Sequence, residues 1–262
     1  MKTTRIFWLA FMVIAAVIFF SCKKDKGNAR LDVYLTDAPA LYDAVNIDVA
    51  SVEIKSTDDQ GDNGWQQLTQ AKTGVYNLLD FTNGMDALLA SVELPAGKVS
   101  QLRLILGTNN TIVVNGNTLP LPLQTPSAQQ SGLKFNIHAD LVEGVTYKVW
   151  IDFDAAKSIV NTGGGNYILK PVLRTFTEAT SGAIKGIALP SAASPIASAI
   201  SGPDTLSAIP DASGNYLIRG VPAGTWKVLI DGHNGYNDDS TLNNVNVVLG
   251  QVTNVGTVTL LQ

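Results

Sequence analysis

Three groups of residues in this 262-residue chain have types and spacings that suit chemistry. The first is Cys22, the only cysteine, which directly follows Ser21 at the end of the apolar run Ile6–Phe20. With no second cysteine it has no disulfide partner in the chain, and its thiol is open to covalent modification. The second is the carboxylate set Asp37, Asp152 and Asp154. Strand alternation puts Asp152 and Asp154 on one face, opposite Ile151 and Phe153, and Asp37 sits at another strand end. Three such oxygen donors suit a calcium ion or a polar ligand. The plainer alternative is that Asp154 caps the turn 155–160 and Asp37 forms an Asx-turn before Pro39. The third group is aromatic: Trp150 shares the polar face with Lys148 and Asp152, and Trp65 follows the polar turn 58–64, so either indole could stack on a sugar ring. Trp226 shares a face with Val228 and Ile230 and reads as core.

Other chemistries lack their parts. Serine-type catalysis needs a histidine base, and the only histidines, His138 and His233, accompany no Gly-x-Ser-x-Gly elbow. Two distant histidines do not make a zinc spacing, so no metal and no cofactor is assigned. Glycoside hydrolysis needs two facing carboxylates, for which Asp152 and Asp154 are the best pair. That reading ranks last, and the chain is expected not to be an enzyme.

The elements that carry these residues begin with a leader. Lys2 and Arg5, the apolar run and Ser21 have the order of a cleaved secretory signal over residues 1–21, and the run is shorter than the roughly 20 residues of a membrane-spanning helix. With Cys22 at the cut, the segment resembles a bacterial lipoprotein signal. The resemblance implies fatty acylation of Cys22 and a membrane-anchored lipoprotein of the cell envelope, with the outer membrane expected. Residues 22–29 then form a lipidated tether. Removing residues 1–21 takes two bases and no acid, which moves the net charge from −4 to −6 and argues against a nucleic-acid partner.

Beyond the tether, short runs of Val, Ile, Leu and Thr alternate between Gly, Asn, Asp and Pro, the pattern of an all-β chain built as two β-sandwich-like domains. Strands are predicted at 31–37, 45–54 with a bulge near Ala50-Ser51, 65–70, 99–106, 133–137, 145–153 and 167–173. Asn115-Gly116 marks a hairpin. Helical turns are predicted at 76–81 and 85–90, the second capped by Asn83. The first domain is placed at 30–175, a linker at 176–181 and the second domain at 182–262, where seven short strands suit a Greek-key sandwich.

Two resemblances follow. Gly186 before Ile187-Ala188-Leu189-Pro190, the run 211–218 and the run 221–228 resemble the carboxypeptidase regulatory-like domain, a transthyretin-type seven-stranded sandwich. That likeness implies a non-catalytic fold, sometimes grouped with carbohydrate-binding folds. Leu35–Pro39, Pro95-Ala96-Gly97 before Gln101–Leu104, Gly132–Phe135, Asp152–Ala155 with Ser158, and Leu169–Val172 resemble domain of unknown function family 4382, found in bacterial lipoproteins. The expected function is a non-catalytic envelope lipoprotein that presents its sandwiches to a polysaccharide or an envelope protein. The alternative is a fimbrial or adhesin-type subunit that associates by strand addition, with Arg30 as a processing site.

Overall fold

The computed structural model describes residues 27–56 and 64–262. The leader, Cys22 and the first part of the tether lie outside the described residues. The first unit contains β1 (Asn28–Ala38), β2 (Ala44–Lys55), β3 (Trp65–Gln67), β4 (Gly74–Asn77), β5 (Ala87–Pro95), β6 (Gly97–Leu106), β7 (Thr111–Val114), β8 (Asn117–Pro120), β9 (Leu133–Leu141), β10 (Thr146–Asp154), β11 (Ile159–Gly163), β12 (Asn166–Leu169) and β13 (Leu173–Phe176). One sheet has the order β13-β10-β1-β5 and the other β8-β7-β2-β6-β9, with β3 and β4 also on β2. β11 and β12 form a separate hairpin.

The sheets meet because alternation gives each strand one apolar face. Leu31, Val33 and Leu35 of β1 and Val149, Ile151 and Phe153 of β10 face Val45, Ile47, Leu102 and Leu104 in one buried cluster. In β2 the apolar phase changes from Val49 to Val52, and the pairing with β6 shifts register between Val49 and Ser51, at the predicted bulge. Asn115 and Gly116 both take positive φ, 50° and 75°, as a two-residue hairpin turn between β7 and β8 requires.

Two local readings change. Tyr76-Asn77 ends strand β4, and only Leu78–Phe81 turns helically, as one 3₁₀ turn capped by Asn77. Met85–Ala90 is not a helix, because Ala87 onward is strand β5, paired antiparallel with β1. Ala and Leu favour helix locally, but the backbone groups of β1 need a partner and tertiary pairing overrides that preference.

The second unit contains β14 (Gly182–Leu189), β15 (Ile196–Ser201), β16 (Asp204–Ala208), β17 (Asn215–Val221), β18 (Gly224–Asp231), β19 (Asp239–Val247) and β20 (Val252–Thr259). Its sheets, β17-β14-β20 and β16-β15-β18-β19, enclose a separate cluster that includes Ile184, Tyr216, Ile218, Trp226 and Val228. The described chain is thus an all-β protein of sandwich type. Among the described residues no helix is long and apolar enough to cross a membrane.

Leu104 is fully buried where β6 crosses the first core. Leu104→Ala is expected to cost about 2–5 kcal/mol, the usual range for truncating a buried leucine. Urea unfolding followed by tryptophan fluorescence measures it.

Candidate functional site

β1 and β10 run parallel and end together, with Thr36 opposite Asp152 and Ala38 opposite Asp154. That register gathers Asp37, Asp152 and Asp154 at one end of the sheet. A one-turn helix, Ala155–Ser158, starts directly after β10. Asp154 Oδ1 accepts the Lys157 N–H at 3.0 Å, and its Oδ2 lies 2.8 Å from Lys157 Nζ, so it caps the helix as the plainer reading has it. Asp37 Oδ1 accepts the Ala155 N–H at 3.0 Å. Asp37 Oδ2 is buried and has no hydrogen-bond partner. Asp152 is buried and paired with Arg174 at 2.5 Å.

These environments set the protonation equilibria. Burial pushes the Asp37 carboxyl well above its ordinary value, against the Ala155 N–H, and Asp152 and Asp154 push the same way. Burial also raises Asp152, opposed by Arg174.

The three carboxylates line a cleft of about 440 Å³ whose far wall belongs to the second sandwich, including Asp204, Thr205, Ser207, Arg219 and Trp226. Two arginines join the walls. Arg174 donates to the carbonyls of Gly220 at 2.6 Å and Arg219 at 3.1 Å. Arg219 donates to Asp86 Oδ2 at 2.8 Å and to the Gly84 carbonyl at 3.1 Å. The same Asp86 oxygen accepts the Trp150 indole N–H at 2.8 Å. Above them, Asn83 Oδ1 accepts the Leu217 N–H at 2.6 Å, and Asn83 Nδ2 donates to the Asn215 carbonyl at 3.0 Å. The side-chain amide thus pairs with the open edge of β17 as a strand would. The Thr36 hydroxyl, 3.0 Å from the carbonyls of Phe81 and Met85, ties the loop carrying Asn83 to β1.

The structure corrects the aromatic readings. Trp150 is only 3 % exposed, stacked between Tyr34 (5.3 Å between centroids) and Phe176 (5.5 Å), with the Arg219 guanidinium 5.0 Å from its centroid. It has no free face for a sugar, because the second sandwich covers the sheet face that alternation alone presents as solvent-exposed. Trp65 is half-buried and does not line the cleft, with the Arg103 guanidinium 4.4 Å from its centroid and Lys55 and Lys134 each at 5.8 Å. The Arg103 guanidinium therefore covers a ring on which a sugar could have stacked. Trp226 is core, as expected, and its N–H donates to the Pro222 carbonyl at 2.9 Å.

The metal reading of Asp37, Asp152 and Asp154 is corrected as well. Among the described residues no group of three His, Cys, Asp or Glu side chains could hold a metal ion. Arg174 holds Asp152, the helix cap holds Asp154, and their oxygens do not converge with those of Asp37. Sequence reasoning missed Asp86, Lys157, Arg174, Arg219 and Asp204, and it read Asn83 as the cap of a helical turn that does not form. One signal was present: Asn83-Gly84 is an Asn-Gly pair like Asn115-Gly116, and both its residues take positive φ, 53° and 84°.

The fold and the cleft define an all-β sandwich protein with a polar cleft between its two units. By sequence, residues 28–171 match the family described as domain of unknown function DUF4382, and the chain belongs to that family. No curated protein matches the chain. Solved structures with some similarity include the Bacillus anthracis TIE protein, at 11 % identity and a TM-score of 0.27, covering 90 % of this chain and 35 % of that one. The chain therefore spans about a third of that protein's length. The minor pilin GBS52 of Streptococcus agalactiae is 10 % identical, covering 87 % of this chain and 94 % of its own, with a TM-score of 0.23. The shaft pilin SpaA of Lactobacillus rhamnosus GG is 7 % identical, covering 89 % and 98 %, with a TM-score of 0.21.

Two predictions test the site. Gly220 has φ +64°, and a Cβ there would lie 2.5 Å from the Phe176 ring. Gly220→Ala is expected to lose about 1–3 kcal/mol from backbone strain, and more from the ring contact. Gly202→Ala, at φ +57° with open space around it, should show the strain alone. Urea titrations of both variants separate the two effects. The second prediction concerns pH. A carboxyl whose folded pKa is raised binds its proton more tightly folded than unfolded, so it opposes folding increasingly as pH rises from its ordinary value, 3.8, towards its folded value. Asp37→Asn removes that dependence and keeps an acceptor for Ala155. The stability of Asp37→Asn relative to wild type should therefore rise between pH 4 and pH 7.

Proposed function

We propose that this protein is a non-catalytic, lipid-anchored envelope protein that holds a polar ligand, a glycan or part of an envelope partner, in the cleft between its two sandwiches. The observation that carries this reading is the cleft itself: one pocket lined by charged side chains from both units, with Asp37 buried beneath it and one carboxylate oxygen unpartnered. Its volume falls within the roughly 300–1,000 Å³ of small-molecule sites. The carboxylates have structural partners in Arg174, Lys157 and the Ala155 N–H, which favours recognition over hydrolysis. The position of the cleft supports display. β1 leaves the tether at Asn28 and reaches the cleft at Asp37 and Ala38, a length of about 36 Å at 3.3 Å per residue. The transthyretin-type likeness of residues 182–262 belongs to the same reading, as a second recognition layer appended to the family domain.

Strand addition is the second reading, favoured by one observation: β20, the last strand, lies at a sheet edge with β14 on one side only. Processing at Arg30 fits it less well. Arg30 lies inside β1, between β5 and β10, and its N–H donates to the Val145 carbonyl at 3.0 Å.

The soluble fragment 23–262 should retain envelope polysaccharide or a partner in pull-downs and remain monomeric in light scattering. Specific turnover of the captured glycan would contradict the reading, and concentration-dependent polymers would favour the second. Labelled palmitate should enter the full chain and fail to enter Cys22→Ser, with the variant released from the membrane fraction.

A further inference from the structure

The cleft holds more acid than base. Its lining includes the acids Asp37, Asp152, Asp154 and Asp204 and the bases Lys157, Arg174 and Arg219. Each base already faces a carboxylate: Lys157 faces Asp154, Arg174 faces Asp152 and Arg219 faces Asp86. Asp37 and Asp204 are left without a basic partner among the described residues. They differ in kind. Asp204 is exposed at the start of β16 on the far wall, where water solvates it. Asp37 is 6 % exposed, with Oδ1 on the Ala155 N–H and Oδ2 buried without a hydrogen bond. A buried polar atom left unpaired is costly, and more so when charged, so Asp37 either keeps its proton or takes a partner from outside the chain.

A partner for the ionised form must donate, because an ionised carboxylate only accepts. It must also carry positive charge or none, because every cation that could offset an anion is already matched. The rest of the cleft adds hydroxyls from Thr205 and Ser207 and exposed apolar surface from Val172 and Pro203. Hydroxyls, an apolar wall and an unmatched carboxylate together suit a ring that carries both hydroxyl groups and an ammonium group.

We propose that the cleft binds an amino sugar with a free ammonium group, which donates to Asp37, while Asp204 adds long-range attraction from the opposite wall. This rests on the cleft being a ligand site and names the ligand's chemistry. The ammonium group favours the ionised form of Asp37, so binding tightens as pH rises through the titration of that carboxyl. Asp152, Asp154, Lys157, Arg174, Arg219 and Asp204 are the charged groups around it.

The test is a calorimetric or NMR titration of the soluble fragment 23–262 with glucosamine, glucose and N-acetylglucosamine at pH 7. Glucosamine should bind about tenfold more tightly than the two neutral sugars, the ratio expected of one charge-assisted hydrogen bond. Asp37→Asn should abolish the preference, and the exposed Asp204→Asn should reduce it with no loss of folding. The second variant keeps the test open if the first does not fold. Equal binding of all three sugars would overturn the amine assignment and leave the polar-ligand cleft standing. Binding of none, with envelope polysaccharide still captured in pull-downs, would overturn the amine assignment alone. A preference for glucosamine that survives both substitutions would also overturn it.

Discussion

One carboxylate oxygen joins the two halves of this protein. Asp86 Oδ2 accepts the indole N–H of Trp150 from the first sandwich and the guanidinium of Arg219 from the second, each at 2.8 Å. Charge-assisted bonds of this kind are stronger than neutral ones, and half-buried groups are less screened than exposed ones. Around that oxygen the contacts follow in order. Arg219 lies over Trp150, Trp150 stacks on Phe176, Phe176 packs on Gly220, and Arg174 reaches from Asp152 to the Gly220 carbonyl. The cleft exists because this set of contacts fixes the distance between its walls.

The same contacts account for what the sequence shows and what it hides. Alternation of Leu31, Val33 and Leu35, the phase change in β2 and the Asn-Gly turn are local facts, and the structure follows them. In β10, alternation is a poor guide, because Val149–Phe153 is buried on both faces. One face meets the opposite sheet and the other meets a second unit far along the chain. A strand covered on both sides reads as a continuous apolar run. Val149-Trp150-Ile151-Asp152-Phe153 is nearly one, with the aspartate as the exception that Arg174 explains. Of the candidate site, the sequence showed the three carboxylates, because they sit at strand ends. It could not show the groups that join the walls, because Asp86 meets Arg219 and Asn83 meets β17 only after both sandwiches have formed.

Asn83 illustrates how a loop completes a sheet. An edge strand leaves backbone groups unpaired and open to association. Here the amide of Asn83 takes one donor and one acceptor of β17, at a position whose positive φ turns the chain towards that edge. The first sandwich therefore covers an edge of the second. The last strand of the chain, β20, keeps its outer edge. β1 runs from Asn28 to Ala38 and reaches the cleft at Asp37.

The central claim is that the two sandwiches form one rigid body with a fixed cleft between them. Residual dipolar couplings of the soluble fragment test it most directly, because each unit reports its own alignment. The account predicts a single alignment tensor for both units in the wild type, and two distinct tensors once Asp86 and Arg219 are both replaced by alanine. Two distinct tensors in the wild type itself would mean that the units move independently, and the cleft would not be a site.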